Sequence, residues 1–150
     1  MEDCLICNRI KMIKEGTNKY FVKELETGYV VIGDHQYFKG YTLFLCKEHQ
    51  NELHDLDRDF KEKFLIEMSK VSEAVHKAFK PIKLNYELLG NGDPHMHWHI
   101  FPRSNQEPNP THPVWWTPRE RMYAENVKPN EEELVALKSL LLRELDKLIQ

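Results

Sequence analysis

His95-Met96-His97-Trp98-His99 sets three imidazoles at strict two-residue spacing, and the reading of this stretch decides the fold around it. On an extended strand alternate side chains face the same side. The spacing therefore predicts that the three histidines project together while Met96 and Trp98 point the other way, into a core. Two chemistries use such a row: metal ligation, and handling of phosphate by a nucleophilic or cationic imidazole. Three polar rings on one face add little to a sheet by themselves, so idle strand histidines are the weaker reading. Asp93 is the one carboxylate close by in sequence, which ranks a catalytic ion held by all three histidines lowest.

Working outward, Gly90-Asn91-Gly92-Asp93-Pro94 turns the chain from a strand over residues 84–89 into the histidine strand, and Pro102 is expected to close it. Before these lies a stripe of Phe60, Phe64, Met68, Val71, Val75 and Phe79 at helical spacing. Asp57 is its expected N-cap and Pro81 its end. Residues 20–22, 29–32 and 41–46 read as three further strands, with a turn at Thr27-Gly28. Leu5, Ile6, Ile10 and Ile13 form a short N-terminal helix stopped near Gly16. Pro108, Pro110, Pro113 and Pro118 make the stretch from Ser104 a long ordered arm. Asn130 and Glu133 form a capping pair for a last helix carrying Leu134, Leu137, Leu141, Leu145 and Leu148. The expected fold is α+β: an antiparallel sheet of about five strands, one long helix packed on it, a short N-terminal helix and a C-terminal helical extension. One domain, 1–150, accommodates all of it, with a core over about 4–103 and an arm and helix over 104–150.

The chain is 41% hydrophobic and 30% charged, with a net charge of −3 when histidine is neutral. That balance argues against broad capture of nucleic acid, and no stretch is long and apolar enough for a membrane span. Met1-Glu2-Asp3-Cys4 lacks the basic start and apolar run of a signal peptide, so a cytoplasmic location is expected. In that compartment Cys4-x-x-Cys7 reads as metal-binding or redox-active rather than as part of a disulfide framework, and Cys46 as core.

With these motifs in order, the chain resembles the histidine-triad family of nucleotide hydrolases and transferases. The resemblance rests on His95 to Phe101 with Pro102-Arg103, on the opening Cys4-Leu5-Ile6-Cys7 with Ile10, and on Leu43 to His49 with its Lys47-Glu48-His49 corner. It covers residues 4–103, about two-thirds of the chain. Two departures stand out. The further histidine that the family carries after a glycine at the start of the third strand is here Tyr41, after Gly40. The loop before the triad is short, with Asn91 only four residues before His95, more like that of galactose-1-phosphate uridylyltransferase relatives.

The resemblance implies a division of labour. His97 is the nucleophile, forming a covalent nucleotidyl intermediate that water cleaves. Its other ring nitrogen must donate to an acceptor such as a backbone carbonyl. His99, one pleat along, donates to a phosphate oxygen, and Asn91 is the candidate for a further polar contact there. Cys4 and Cys7 with His49 and His95 would hold a structural zinc, His54 competing with His49 for its place. Asp34 would accept from ribose hydroxyls, and Ile6 and Ile10 would line the base or serve as core. Trp115-Trp116 would stack on a base, cover the site or meet a partner subunit. The implied partners are a small nucleotide and a second copy of the chain in a homodimer, with no nucleic acid and no membrane. The favoured activity is hydrolysis of a nucleoside phosphoanhydride, such as a dinucleoside polyphosphate, or of a phosphoramidate. The alternatives are a nucleotidyltransferase or phosphorylase, or a zinc-stabilised nucleotide-binding module with little catalysis.

Overall fold

In this computed structural model, which describes residues 3–149, five strands form one antiparallel sheet. They are β1 (Phe21–Glu24), β2 (Gly28–Ile32), β3 (Thr42–Cys46), β4 (Lys83–Glu87) and β5 (His97–Arg103), in spatial order β1-β2-β3-β5-β4. The helices are α1 (Leu5–Glu15), α2 (Arg58–Phe79), α3 (Arg119–Met122) and α4 (Glu131–Leu148). Met1-Glu2, the start of the segment read as lacking a signal peptide, lies outside the described residues. No helix among the described residues is long and apolar enough to cross a membrane.

The two faces of the sheet carry different loads. On one, Val30, Ile32, Phe44, Met96 and Ile100 pack with Phe64, Val71 and Val75 of α2, and Trp98 lies against this cluster. Met96 and Trp98 thus face the core, as the alternation predicts. The last helix is more than an extension. Leu134, Leu137, Leu141 and Leu145 of α4 are buried in the same cluster, each contributing roughly 2 kcal/mol of burial. The Asn130–Glu133 capping box that starts α4 forms in full. At the other long helix Asp57 occupies the N-cap position without a side-chain bond, and Lys80, in the left-handed region at φ 51°, ends it before Pro81.

Buried Glu67 of α2 went unnoticed in the sequence because it interrupts an apolar stripe. Its carboxylate accepts from the Thr27 N–H at 2.8 Å, the Thr27 hydroxyl at 2.5 Å and the Glu26 N–H at 3.2 Å. It therefore pins the β1–β2 turn to the helix.

Strand ends differ from expectation: β1 is Phe21–Glu24 against 20–22, β2 and β3 shift by one residue at their starts, and β5 begins at His97 instead of His95. β4 stops at Glu87 instead of Leu89, and Pro102 lies inside β5, paired with Leu84, where it was expected to close the strand. Pairing of β5 with β3 runs only as far as Ile100 opposite Thr42. The missing N–H of Pro102 therefore faces a side that no strand occupies. Arg103 can follow, buried and clamped to Glu107 at 2.8 Å and Asn85 at 2.8 Å.

On the second face, Ile6 and Ile10 of α1 cover Tyr29, Val31 and Leu45. Farther along, Val114 and Met122 of the proline-rich arm pack on Phe38 and Phe101. The arm is a run of short helical turns, Val114–Trp116, α3 and Glu125–Val127. Between α1 and the arm this face stays open, and the open part carries His97 and His99.

Candidate functional site

His95 parts company with the other two histidines. It precedes the first residue of β5 and is buried, with only 1% of its surface exposed. A carbonyl can only accept, so the 2.7 Å contact of its Nε2 with Cys46 O places the ring proton on Nε2. That leaves Nδ1 as an open lone pair. Nδ1 lies 3.5 Å from Cys4 Sγ, 3.5 Å from Cys7 Sγ and 3.1 Å from His49 Nδ1, while Cys7 Sγ is 3.3 Å from His49 Nδ1. A tetrahedral zinc with bonds of about 2.3 Å to sulfur and about 2.05 Å to nitrogen sets edges of about 3.5 Å (S to N) and about 3.3 Å (N to N). These four separations match those edges, and all four donor atoms lie within 4.8 Å of one another. The Nε2–H bond to Cys46 O is the outer-shell contact that fixes a ligating imidazole. The set is thus compatible with zinc in a closed, structural site. His54 is excluded from it: its side chain is 82% exposed and paired with Asp55.

The local chemistry follows from the chain. Cys4 is the N-cap of α1, its Sγ accepting from the Cys7 N–H at 3.3 Å, so both thiols sit on the first turn. β3 delivers His49 from its far end, and Met96 pairs its backbone with Gln50 and Cys46, holding His95 in place. Burial lowers the basicity of His95 and raises the Cys7 thiol, with Cys4 adding to the latter. Burial also pushes the Cys46 thiol up to about 11, in keeping with a core cysteine.

His97 and His99 face a cleft of about 250 Å³ between α1 and the arm. The His97 Nδ1–H donates to His95 O at 2.7 Å, and Nε2 has no hydrogen-bond partner among the described residues. The His99 ring lies 4.8 Å from that of His97 and within 2.6 Å (Nδ1) of the Tyr41 hydroxyl. Burial, with His97 beside it, pushes the His99 imidazole down to about 4, so it is neutral at ordinary pH. Trp115 stands edge-on to His99 at 6.0 Å and donates from Nε1 to the Glu87 carboxylate.

Of the residues singled out from sequence, Asp34, Ile6, His97 and His99 come together at this cleft. Asp34 pairs with Arg9 at 3.3 Å, both partly exposed. Ile10 lies behind the cleft wall in the α1–sheet cluster, since it is one turn farther along the buried face of the helix. Asn91 is exposed at the tip of the turn and outside the cleft lining, whereas Asp93 of the same turn reaches it. Of the Trp115-Trp116 pair only Trp115 lines the cleft; Trp116 is 69% exposed and meets His112 edge to face at 5.0 Å. Arg103, of the motif that follows the triad, lies outside the cleft lining and pairs with Glu107. Sequence reading missed Arg9, His35 and Tyr123 of the lining. Arg9 could have been found, three residues from Ile6 on one helix face; His35 and Tyr123 meet only in the tertiary fold, edge to face at 5.2 Å.

Comparison with known proteins identifies the family and the fold. A family model described as "HIT domain" matches residues 17–106. An uncharacterized HIT-like protein of Borreliella burgdorferi is 31% identical over 110 residues, 69% of this chain and 77% of that protein. A histidine triad protein from Marinobacter aquaeolei has the same fold at a TM-score of 0.73 and 23% identity, covering 85% of this chain and 89% of that one. A Zn-bound histidine triad family protein from Mycobacterium smegmatis aligns at a TM-score of 0.66 and 16% identity, over 98% of this chain and 96% of that one. With its triad split between a four-donor cluster and an open cleft, and with a match over more than half its length, the chain belongs to the HIT, or histidine-triad, family.

Proposed function

We propose that this protein is a nucleotide hydrolase that cleaves a nucleoside phosphoanhydride or phosphoramidate through a covalent nucleotidyl intermediate on His97. The observation that carries the reading is the Nδ1–H bond of His97 to His95 O, which leaves Nε2 as the nitrogen available for attack at the cleft. In the first step the Nε2 lone pair forms a bond to phosphorus as the bond to the departing oxygen or nitrogen breaks. The departing group leaves with a proton taken from water. In the second, a water oxygen bonds to phosphorus as the P–N bond breaks and its electron pair returns to Nε2, and the proton this water loses neutralises the hydroxide left by the first step. His99 donates to a phosphoryl oxygen that gains charge in both steps. Asp34 takes the ribose hydroxyls, and Ile6 forms part of the apolar wall against the base. Among the described residues Arg9 is the one cation of the lining and it is already paired with Asp34, so neutral donors rather than charge hold the phosphoryl group.

Zinc at Cys4, Cys7, His49 and His95 would be structural, its four protein ligands leaving no position for water. Its work is to tie α1 to the sheet. Unpaired thiols in such a site suit a reducing compartment such as the cytoplasm.

Turnover of a fluorogenic adenosine phosphoramidate, with a chelator present, tests the reading. Native protein is expected to be active and His97→Ala to lose at least about 10³-fold in kcat/KM. Activity surviving in His97→Ala overturns the mechanism, and binding without turnover by native protein selects a nucleotide-binding module instead.

A further inference from the structure

We propose that Tyr41 is a positioning residue for His99: its phenol donates to Nδ1 and holds the ring as the Nε2–H tautomer, with that proton turned to the cleft. The functional consequence rests on the hydrolase reading above; the contact itself does not.

A 2.6 Å separation between Tyr41 Oη and His99 Nδ1 admits two proton arrangements. If His99 donated from Nδ1, the phenolic proton would need a second acceptor, and no other partner of Tyr41 Oη occurs among the described residues. Leaving a donor unpaired in this half-buried site disfavours that arrangement by roughly 10–100-fold. With the phenol as donor, both Tyr41 Oη and His99 Nδ1 are satisfied. His99 Nε2 then keeps its proton, and it too has no protein partner among the described residues while its ring lines the cleft. The unspent donor is the one that faces substrate. Burial holds the phenol's ionisation far above its ordinary range, so the proton stays on Tyr41.

The fold is shaped around this phenol. Gly33 has no side chain where a Cβ would come within 2.3 Å of the Tyr41 ring. Gly40, at φ 94°, turns the chain into Tyr41, and a Cβ there would meet Phe79 at 2.7 Å. On its other face Tyr41 stacks on Phe101 at 4.2 Å and 7°. His99 is bounded in turn by the edge of Trp115. Where the resemblance led us to expect a further histidine, this chain thus places a donor that does not compete for protons. A neutral N–H donor of fixed orientation needs no reorganisation as charge grows on phosphorus-bound oxygen.

The ring nitrogens of His99 report the arrangement directly. In ¹⁵N-labelled, zinc-loaded native protein at pH 7, long-range ¹H–¹⁵N spectra are expected to show unprotonated Nδ1 and protonated Nε2. Tyr41→Phe keeps the stack and removes the donor. It should give mixed tautomers and a fall in kcat of about 10–100-fold, with KM changed by less than about threefold. Gly33→Ala, which displaces the ring, should give the same tautomer mixture. Protonated Nδ1 in native protein overturns the proposal whether or not any variant folds. So does a Tyr41→Phe protein with native tautomer or native kcat. Native protein that shows the expected tautomer but no turnover retains the Tyr41 contact and refutes the hydrolase reading instead.

Discussion

Replacing Cys4 by serine separates the metal from the helix it caps. Cys4 Sγ accepts the Cys7 N–H at the start of α1, and serine is a good N-cap in its own right. Cys4→Ser therefore keeps the cap and removes one of four donors. The magnitude follows from what the cluster ties together. Cys7 and His49 are 42 residues apart, and His49 and His95 are 46 apart. In the chain-entropy picture a cross-link closing a loop of that length contributes about 4 kcal/mol. For a chain of this size each kcal/mol moves Tm by roughly 2–4 °C, so loss of one such link lowers it by about 8–16 °C. Native protein purified without chelator should contain about one zinc per chain by elemental analysis, and Cys4→Ser much less. Thermal unfolding followed by circular dichroism should show the drop. A chelator should reproduce it in native protein and add little in the variant. Because Leu5, Ile6 and Arg9 of the same helix line the cleft, KM for the phosphoramidate should rise in parallel. Native protein without zinc, or Cys4→Ser losing zinc with Tm unchanged within about 3 °C, would refute the reasoning.

Two further outcomes bear on the cleft. Asp34→Asn should raise KM for a ribonucleoside substrate about 5–30-fold, the loss of a hydrogen bond to a charged acceptor, and leave a 2′-deoxy analogue almost unaffected. Its partly exposed pair with Arg9 is worth at most about 1 kcal/mol, so Tm should scarcely move; equal effects on both substrates would sink the ribose role. An NMR titration of His99 should find a midpoint near 4, against about 6.5 for an ordinary histidine. The folded value is depressed, so keeping this ring neutral contributes stability that is complete above pH 6.5 and is lost as pH falls toward 4. The amount is at most about 3 kcal/mol. A midpoint near 6.5 would mean that His97, Tyr41 and Trp115 do not enclose the ring as described.

Local sequence determined a good deal of this protein. The two-residue spacing of the triad set a strand, observed from His97, and placed Met96 and Trp98 on the core side, and the four- and three-residue spacing of the Phe60–Phe79 stripe set α2. Asn130 and Glu133 set the start of α4. Each depends on a periodicity or a cap written within a few neighbouring residues. The Cys4-x-x-Cys7 spacing pointed to a metal or to redox chemistry, and the family's pattern supplied His49 and His95; geometry then brought all four together and turned His54 away. Only the tertiary structure decided which ring nitrogen His95 and His99 offer, because that depends on Cys46 O and Tyr41 Oη arriving from elsewhere in the chain, whereas the acceptor for His97 is the neighbouring His95 O. It also decided that Asp93 rather than Asn91 reaches the cleft, that α4 shares the core with α2, and that an arm without periodicity supplies Trp115 and Tyr123. Such contacts join residues tens of positions apart, and no local pattern encodes the direction from which a distant side chain approaches.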